Sequence, residues 1–322
     1  MPLDLAIIIV TWNVKTLALQ TLASLAADLA SSGLTSHIVL VDNDSHDGTP
    51  QAVRDAYPQV QVIETGENLG FGRGNNVGLR ALGFGTDTPA ESLPRAVYLL
   101  NPDTITQPGA TRALYEGLFS DSDIGLVGAH LLNEDGSFQH GAFAFPGLRQ
   151  LWAEFFPTPG RLLEGRFNGR YPRVWYAGAA LFEVDFSLGA TMMLRREVIK
   201  QTGGFDETFF MYAEEVDWGW RIHKAGWRTV CVPTAKVVHL VGQSTGQIKP
   251  RSIVNLWESR LSLFCKHYPR WKEWLARRMI RIGIRRKQRA LDRDAALSQA
   301  DRAAMHDAYE RVLQMAKTGV PC

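Results

Sequence analysis

Cysteine is scarce in this chain. Cys231, Cys265 and Cys322 are the only three in 322 residues, odd in number and without metal-ligand spacing, a pattern that predicts a reducing compartment and no disulfide framework. Long apolar runs are missing too. Ile7–Val10 falls far short of the roughly 20 residues that a bilayer-crossing helix needs. Met1-Pro2-Leu3-Asp4 lacks the basic start of a secretory signal, so the expected location is cytoplasmic. The common phosphate-binding signatures fail as well. No G-x-x-x-x-G-K-[ST] occurs, and Gly72-x-Gly74 is followed by Val77 where a dinucleotide fingerprint needs glycine.

What is present is the composition of an ordinary globular protein, 45% hydrophobic and 21% charged, long enough for about two domains. The net charge of +2 hides an asymmetry. Residues 251–293 hold 13 Lys/Arg against three carboxylates, a surplus of ten, which leaves −8 for the remainder. Those cations are interleaved with Trp257, Phe264, Trp271, Trp274, Ile280 and Ile284. An anionic membrane surface is the expected partner for such a segment. Nucleic acid fits less well, because the body is acidic and carries no nucleic-acid-binding motif.

Short β-branched runs (residues 5–10, 38–41, 60–63 and 96–100) alternate with helical patterns over residues 15–30, 49–57 and 75–82. That alternation predicts an α/β fold with a mostly parallel central sheet. Residues 138–175, rich in Gly, Pro, Phe and Trp, read as a long loop or a patch of small strands. The predicted division is a nucleotide-binding domain over residues 1–248 and a helical C-terminal region over 249–322.

In a parallel sheet, ligands bind beyond the carboxyl ends of the strands, and polar clusters sit at two such ends. Asp42 emerges directly from an apolar strand, where its carboxylate can accept from a pyrimidine N–H or a ribose hydroxyl. Asp47 or Thr49 caps the helix that follows. Asn101-Pro102-Asp103 ends another strand, and His239 follows the run Val237-Val238. One carboxylate and one imidazole suit a divalent cation that a diphosphate also helps to hold. The glycine-rich stretch from Asn68 to Gly78 allows close backbone approach to a ligand, with Arg73 available to a phosphate. Finally, Phe209-Phe210-Met211-Tyr212-Ala213-Glu214-Glu215-Val216-Asp217-Trp218 sets three carboxylates in an apolar run. Either they meet cations in a cleft, or one is tuned as a general base. The plainer rival is a helix whose polar face carries Glu214, Asp217 and Arg221.

In this order, these segments resemble the inverting glycosyltransferases of family 2, which have the GT-A fold, and most of all their rhamnosyltransferase-like branch. The resemblance rests on Ile7–Val10 with Thr11-Trp12-Asn13, on Val41 through Thr49, and on Asn68 through Gly78. It continues with Leu100 through Thr104, Gly203-Gly204-Phe205-Asp206-Glu207 and Phe209 through Asp217. It implies that Asp42 touches the nucleobase, with Thr11, Asn13, Asn43, Asn68, Gly72, Arg73, Asn75 and Asn101 lining the donor site. Asp103 occupies the last position of the D-x-D-like metal motif, in which Asn101 replaces the more usual Asp, and His239 lies where some relatives place a further metal ligand. Glu215 stands at the position of the catalytic base, with Glu214 and Asp217 as reserves.

The implied enzyme is a hexosyltransferase that uses a divalent cation, Mg²⁺ or Mn²⁺, and moves L-rhamnose from dTDP-rhamnose to a cell-envelope or polysaccharide precursor, lipid-linked precursors included. The basic C-terminal region would then hold it at the inner face of the plasma membrane. A UDP-sugar donor, a nucleotidyltransferase, and a sugar-nucleotide-binding protein without catalysis are the alternatives.

Overall fold

The computed structural model describes residues 3–240, 249–293 and 297–320. Twelve strands occur among them: β1 (Leu5–Thr11), β2 (Ser36–Asp42), β3 (Gln61–Glu64), β4 (Ala96–Leu100), β5 (Thr104–Thr106), β6 (Ile124–Leu132), β7 (Phe138–Gln139), β8 (Ala142–Phe143), β9 (Phe182–Val184), β10 (Phe186–Ser187), β11 (Thr191–Arg195) and β12 (Arg228–His239). The helices are α1 (Lys15–Ser32), α2 (Thr49–Ala56), α3 (Gly70–Ala81), α4 (Ala110–Phe119), α5 (Leu148–Phe155), α6 (Gly160–Leu163), α7 (Arg173–Ala177), α8 (Arg196–Thr202), α9 (Glu214–Lys224), α10 (Lys249–His267), α11 (Arg270–Leu291) and α12 (Gln299–Thr318).

The main sheet runs β3-β2-β1-β4-β11-β6-β12-β5. The first four strands in this order are parallel, and β12 is parallel to β6. By contrast β11 runs antiparallel to both β4 and β6, and β5 antiparallel to β12. Residues Leu5 to Ile9 are all fully buried, because helices cover both faces of the sheet. An unbroken apolar run is how such a strand is written. One consequence of this order is that the carboxyl ends of β1, β2, β4, β6 and β12 share one edge, where Ala190, just before β11, accepts a hydrogen bond from the Asn101 N–H.

Among the described residues the chain forms two compact units, residues 3–144, 171–208 and 215–240 in one, and 145–170, 209–214, 249–293 and 297–320 in the other. Segments 145–170 and 209–214, which lie inside the predicted 1–248 domain, thus cluster with the C-terminal helices. The stretch 138–175 is partly helical, carrying α5, α6 and most of α7 besides the short β7 and β8. In the second unit α5 packs on α10 through the Phe155 ring, stacked on Trp257 at 5.0 Å between centroids. Gly283 of α11 makes room for that ring, since a Cβ there would sit 2.1 Å from Phe155 Cγ.

The chain nonetheless carries a disulfide bond. Cys265 on α10 is disulfide-bonded, whereas Cys231 is a free buried thiol. Spacing along a chain says nothing of which sulfurs meet in space. Among the described residues no helix is long and apolar enough to cross a membrane.

Candidate active site

The loops after β1 and β2 are stitched together. Thr11 Oγ1 donates to Asp42 Oδ1 at 2.8 Å, and Ser45 supplies both its N–H and its hydroxyl to the same carboxylate. Ser45 Oγ also accepts from the Asn13 N–H, and Asn13 Oδ1 accepts from the His46 N–H. Asn13 and Asp44 hold left-handed backbone, φ 52° and 64°, to make these contacts. Asp47 accepts from the N–H groups of Lys15 and Thr49, tying the starts of α1 and α2 to one carboxylate. Burial acts to raise the Asp47 pKa, but the hydrogen bonds from Thr49 and Lys15 outweigh it and hold the group below its usual value. Asp42 is 1% exposed, yet a carboxylate can accept about four hydrogen bonds, so it retains capacity for a ligand donor.

The glycine-rich segment is helix from Gly70 onward rather than from Asn75. A Cβ on Gly74 would lie 2.8 Å from Val10 Cγ1, and one on Gly78 would lie 2.7 Å from Ile8 Cγ2. These two glycines, one turn apart, let α3 lie directly against β1. Asn68 Oδ1 accepts from the Gly70 N–H, and the buried Asn75 donates to Phe71 O within the helix. Asn43 Nδ2 donates to Gly70 O, while Asn43 Oδ1 is buried without a hydrogen-bond partner. Gly72 is buried in α3. Arg73 is exposed and gives its Nε–H to Glu207 O.

Asp103 and His239 meet. His239 Nε2 lies 3.5 Å from Asp103 Oδ1, and the two residues are 8% and 7% exposed. Gln139 decides the imidazole tautomer. Its amide nitrogen donates to Asn133 Oδ1 and His239 O, so its Oε1, 2.9 Å from His239 Nδ1, must accept from that nitrogen. In neutral His239 the Nε2 lone pair therefore faces a carboxylate oxygen that has no hydrogen-bond donor. Two lone pairs held face to face are a poor arrangement without a cation between them, and an imidazole fixed through its far nitrogen is the usual form of a metal ligand. These residues fit a divalent cation. Among the described residues no group of three or more His, Cys, Asp or Glu is placed to hold one, so other donors would complete its shell. Asn101 Oδ1, two residues away along the chain, is also buried without a partner.

The three carboxylates of the acidic run occupy different settings. Tyr212 and Ala213 adopt consecutive left-handed conformations, φ 70° and 62°, at a cost of about 1–3 kcal/mol each. Ser259 Oγ donates to Met211 O and anchors that turn. Phe209 and Phe210 lie beneath the cationic ends of Lys266 and Arg251, and Trp218 is a core residue whose indole N–H reaches Thr202 Oγ1. Glu214, 3% exposed, opens α9. Glu215 is half-buried. Burial raises its pKa, against the lowering effect of the N–H groups of Glu215 itself and Val216. Its Cβ stands 4.0 Å from where a Cβ on Gly189 would be, beside the Phe71 ring, next to the strand-end contact of Ala190 with Asn101. Asp217 is fully buried and accepts from Arg221 Nε at 2.8 Å, while the same guanidinium binds Thr202 O and Gly204 O.

Residues 2–260 match the glycosyltransferase-like family 2. The chain belongs to that family. The transferase is 34% identical over 220 residues to the N-acetylglucosaminyl-diphospho-decaprenol L-rhamnosyltransferase of Mycobacterium tuberculosis, a match covering 65% of this chain and 68% of the relative. It is 28% identical over 221 residues to a low-salt glycan biosynthesis hexosyltransferase of Haloferax volcanii, 69% of this chain and 62% of that one. Two solved structures share the fold. The mannosyltransferase of Pyrobaculum calidifontis, in complex with GDP-Man and Mn2+, superposes with a TM-score of 0.56 at 16% identity, covering 99% of this chain and 88% of that one. GalNAc-T7 with UDP, GalNAc and Mn2+ gives 0.59 at 13% identity, covering 99% and 56%. The predicted GT-A architecture, with its mostly parallel sheet and C-terminal helices, is borne out.

Sequence reasoning about the transferase missed Gln139, the group that fixes the His239 ring. Nothing flags a glutamine set between Phe138 and His140, because its role depends on a contact with a residue 100 positions away.

Proposed function

We propose that this transferase moves L-rhamnose from dTDP-rhamnose, with inversion, to a polyprenyl-diphosphate-linked sugar used in cell-envelope polysaccharide synthesis. The likeness to the mycobacterial rhamnosyltransferase, whose name specifies a diphospho-decaprenol acceptor, supports the substrate classes. The observation that carries the chemistry is the Asp103–His239 pair at the sheet edge on which Asp42 and Asn101 also lie. Asp42 receives a donor from the nucleobase, and Thr11, Asn13, Asn43, Asn68, Gly72, Arg73, Asn75 and Asn101 shape the donor site around it. Asp103 and His239 would hold Mg²⁺ or Mn²⁺, which offsets charge on the departing nucleoside diphosphate when bound.

Glu215 takes the proton from the acceptor hydroxyl as that oxygen attacks the anomeric carbon. A raised pKa brings a carboxylate closer in basicity to its task, and burial raises that of Glu215. Asp217, held by Arg221, fixes the start of the Gly203–Glu207 segment instead. The enzyme works in the cytoplasm, peripheral to the inner face of the membrane that carries its acceptor.

The test is calorimetric titration of dTDP, UDP and GDP with and without Mn²⁺, followed by transfer assays with dTDP-rhamnose and a short-chain lipid-diphosphate acceptor. Metal-dependent preference for dTDP and rhamnosyl transfer are the expected results. A preference for UDP or GDP removes the rhamnose assignment, and nucleotide binding without transfer or hydrolysis removes catalysis.

A further inference from the structure

The outer face of α11 carries a stripe that the reaction does not use. Trp271, Trp274, Arg278, Ile282, Arg285 and Arg289 follow one another at steps of three, four, four, three and four residues, and all six are exposed. Such steps keep side chains on one helical face, here over about 27 Å at 1.5 Å per residue. The opposite face is fixed inward by Ala276, Ile280, Ile284 and Leu291, all in the second unit's core, and by the Gly283–Phe155 approach. Trp271 and Trp274 remain 58% and 55% exposed and Ile282 49%, among the largest apolar exposures in the chain. Arg278 lies over the Trp274 ring and Lys272 over Trp271. Glu273 is turned away from the stripe and faces Arg277 at 3.4 Å.

We propose that this stripe is the docking surface for an anionic lipid bilayer, with the two tryptophans seated at the headgroup level and Arg278, Arg285 and Arg289 against lipid phosphates. The proposal rests on the lipid-linked acceptor assigned above. Charge complementarity selects the occupant: the stripe has cations and no carboxylate, and exposed indoles favour the membrane–water interface. Nucleic acid would match the arginines but gives Ile282 nothing to bury against.

The experiment is sedimentation of the full chain with phosphatidylcholine vesicles and with vesicles that also contain phosphatidylglycerol, beside R278E/R285E/R289E and W271A/W274A variants. Binding to the anionic vesicles alone is expected, weakened by salt. Loss of each arginine should cost about fivefold in partitioning, and charge reversal more. The tryptophan variant should bind more weakly while retaining the salt dependence. Equal binding to neutral vesicles, wild-type binding by both variants, or capture of duplex DNA with no vesicle binding would overturn the proposal. Transfer to a water-soluble acceptor analogue, measured in parallel, separates the two readings. A chain that transfers rhamnose but stays in the supernatant when the vesicles are pelleted refutes the docking face alone, and one that sediments with them but transfers nothing refutes the function alone.

Discussion

Replacing Glu215 with Gln probes the proposed base with little structural disturbance, because the amide matches the carboxylate in volume and leaves no cavity. It removes a proton acceptor worth typically 10²- to 10⁴-fold in rate, or about 3–5 kcal/mol of barrier. Turnover should fall by that factor while the donor KM changes little. In the parent enzyme, activity should rise with pH through the elevated Glu215 pKa, since the base works only when ionised, and this limb should vanish in the variant. Stability should move the other way. A carboxyl whose folded pKa is raised contributes stability below its unfolded value and loses it as pH rises through the folded one. In mildly alkaline buffer the ionised, poorly solvated Glu215 therefore destabilises the fold, and the Gln protein should melt at the same temperature or higher. Rhamnosyl transfer over a pH series and thermal melts in the same buffers provide the measurements. Full turnover with unchanged donor binding, or a variant that melts earlier at alkaline pH, would refute the reasoning.

Gln139→Leu should weaken Mn²⁺ binding by about 10- to 100-fold, the usual effect of removing the group that orients a ligating histidine, as read by calorimetry in the presence of dTDP. Gly78→Ala forces a methyl group toward Ile8 and should cost about 1–3 kcal/mol in urea unfolding. Arg221→Ala strips the buried Asp217 of its guanidinium and should cost about 3–5 kcal/mol, seen as a lowered denaturation midpoint. Asp47 has a depressed pKa, so its contribution is present above the unfolded value and lost as pH falls through the folded one. The midpoint difference between wild type and Asp47→Asn should shrink accordingly under acid.

The parts of this fold that show in the sequence are those in which neighbours along the chain share one fate. β1 and β4 are buried on both faces, so each is written as an unbroken apolar run. The start of α3 is harder to see. Gly74 and Gly78 read locally as part of a turn-rich stretch, and their purpose depends on Val10 and Ile8, more than 60 residues earlier. The acidic trio shows the same limit. Its three carboxylates look alike in sequence, and only the folded chain separates a residue paired with Arg221 from one with a raised pKa. The grouping of 145–170 with the C-terminal helices turns on the Phe155–Trp257 and Phe155–Gly283 contacts, which leave no periodic trace.

The stitching of residues 11–15 to residues 42–49 bears on how donor preference could be re-engineered. Thr11, Asn13 and Lys15 on one loop are hydrogen-bonded to Asp42, Ser45, His46 and Asp47 on the other, so neither loop has an independent shape. Grafting one of them from a relative with a different donor would leave half of these bonds without partners. The two loops should be exchanged as a single cassette, and libraries that vary them separately should yield mostly misassembled sites rather than altered ones.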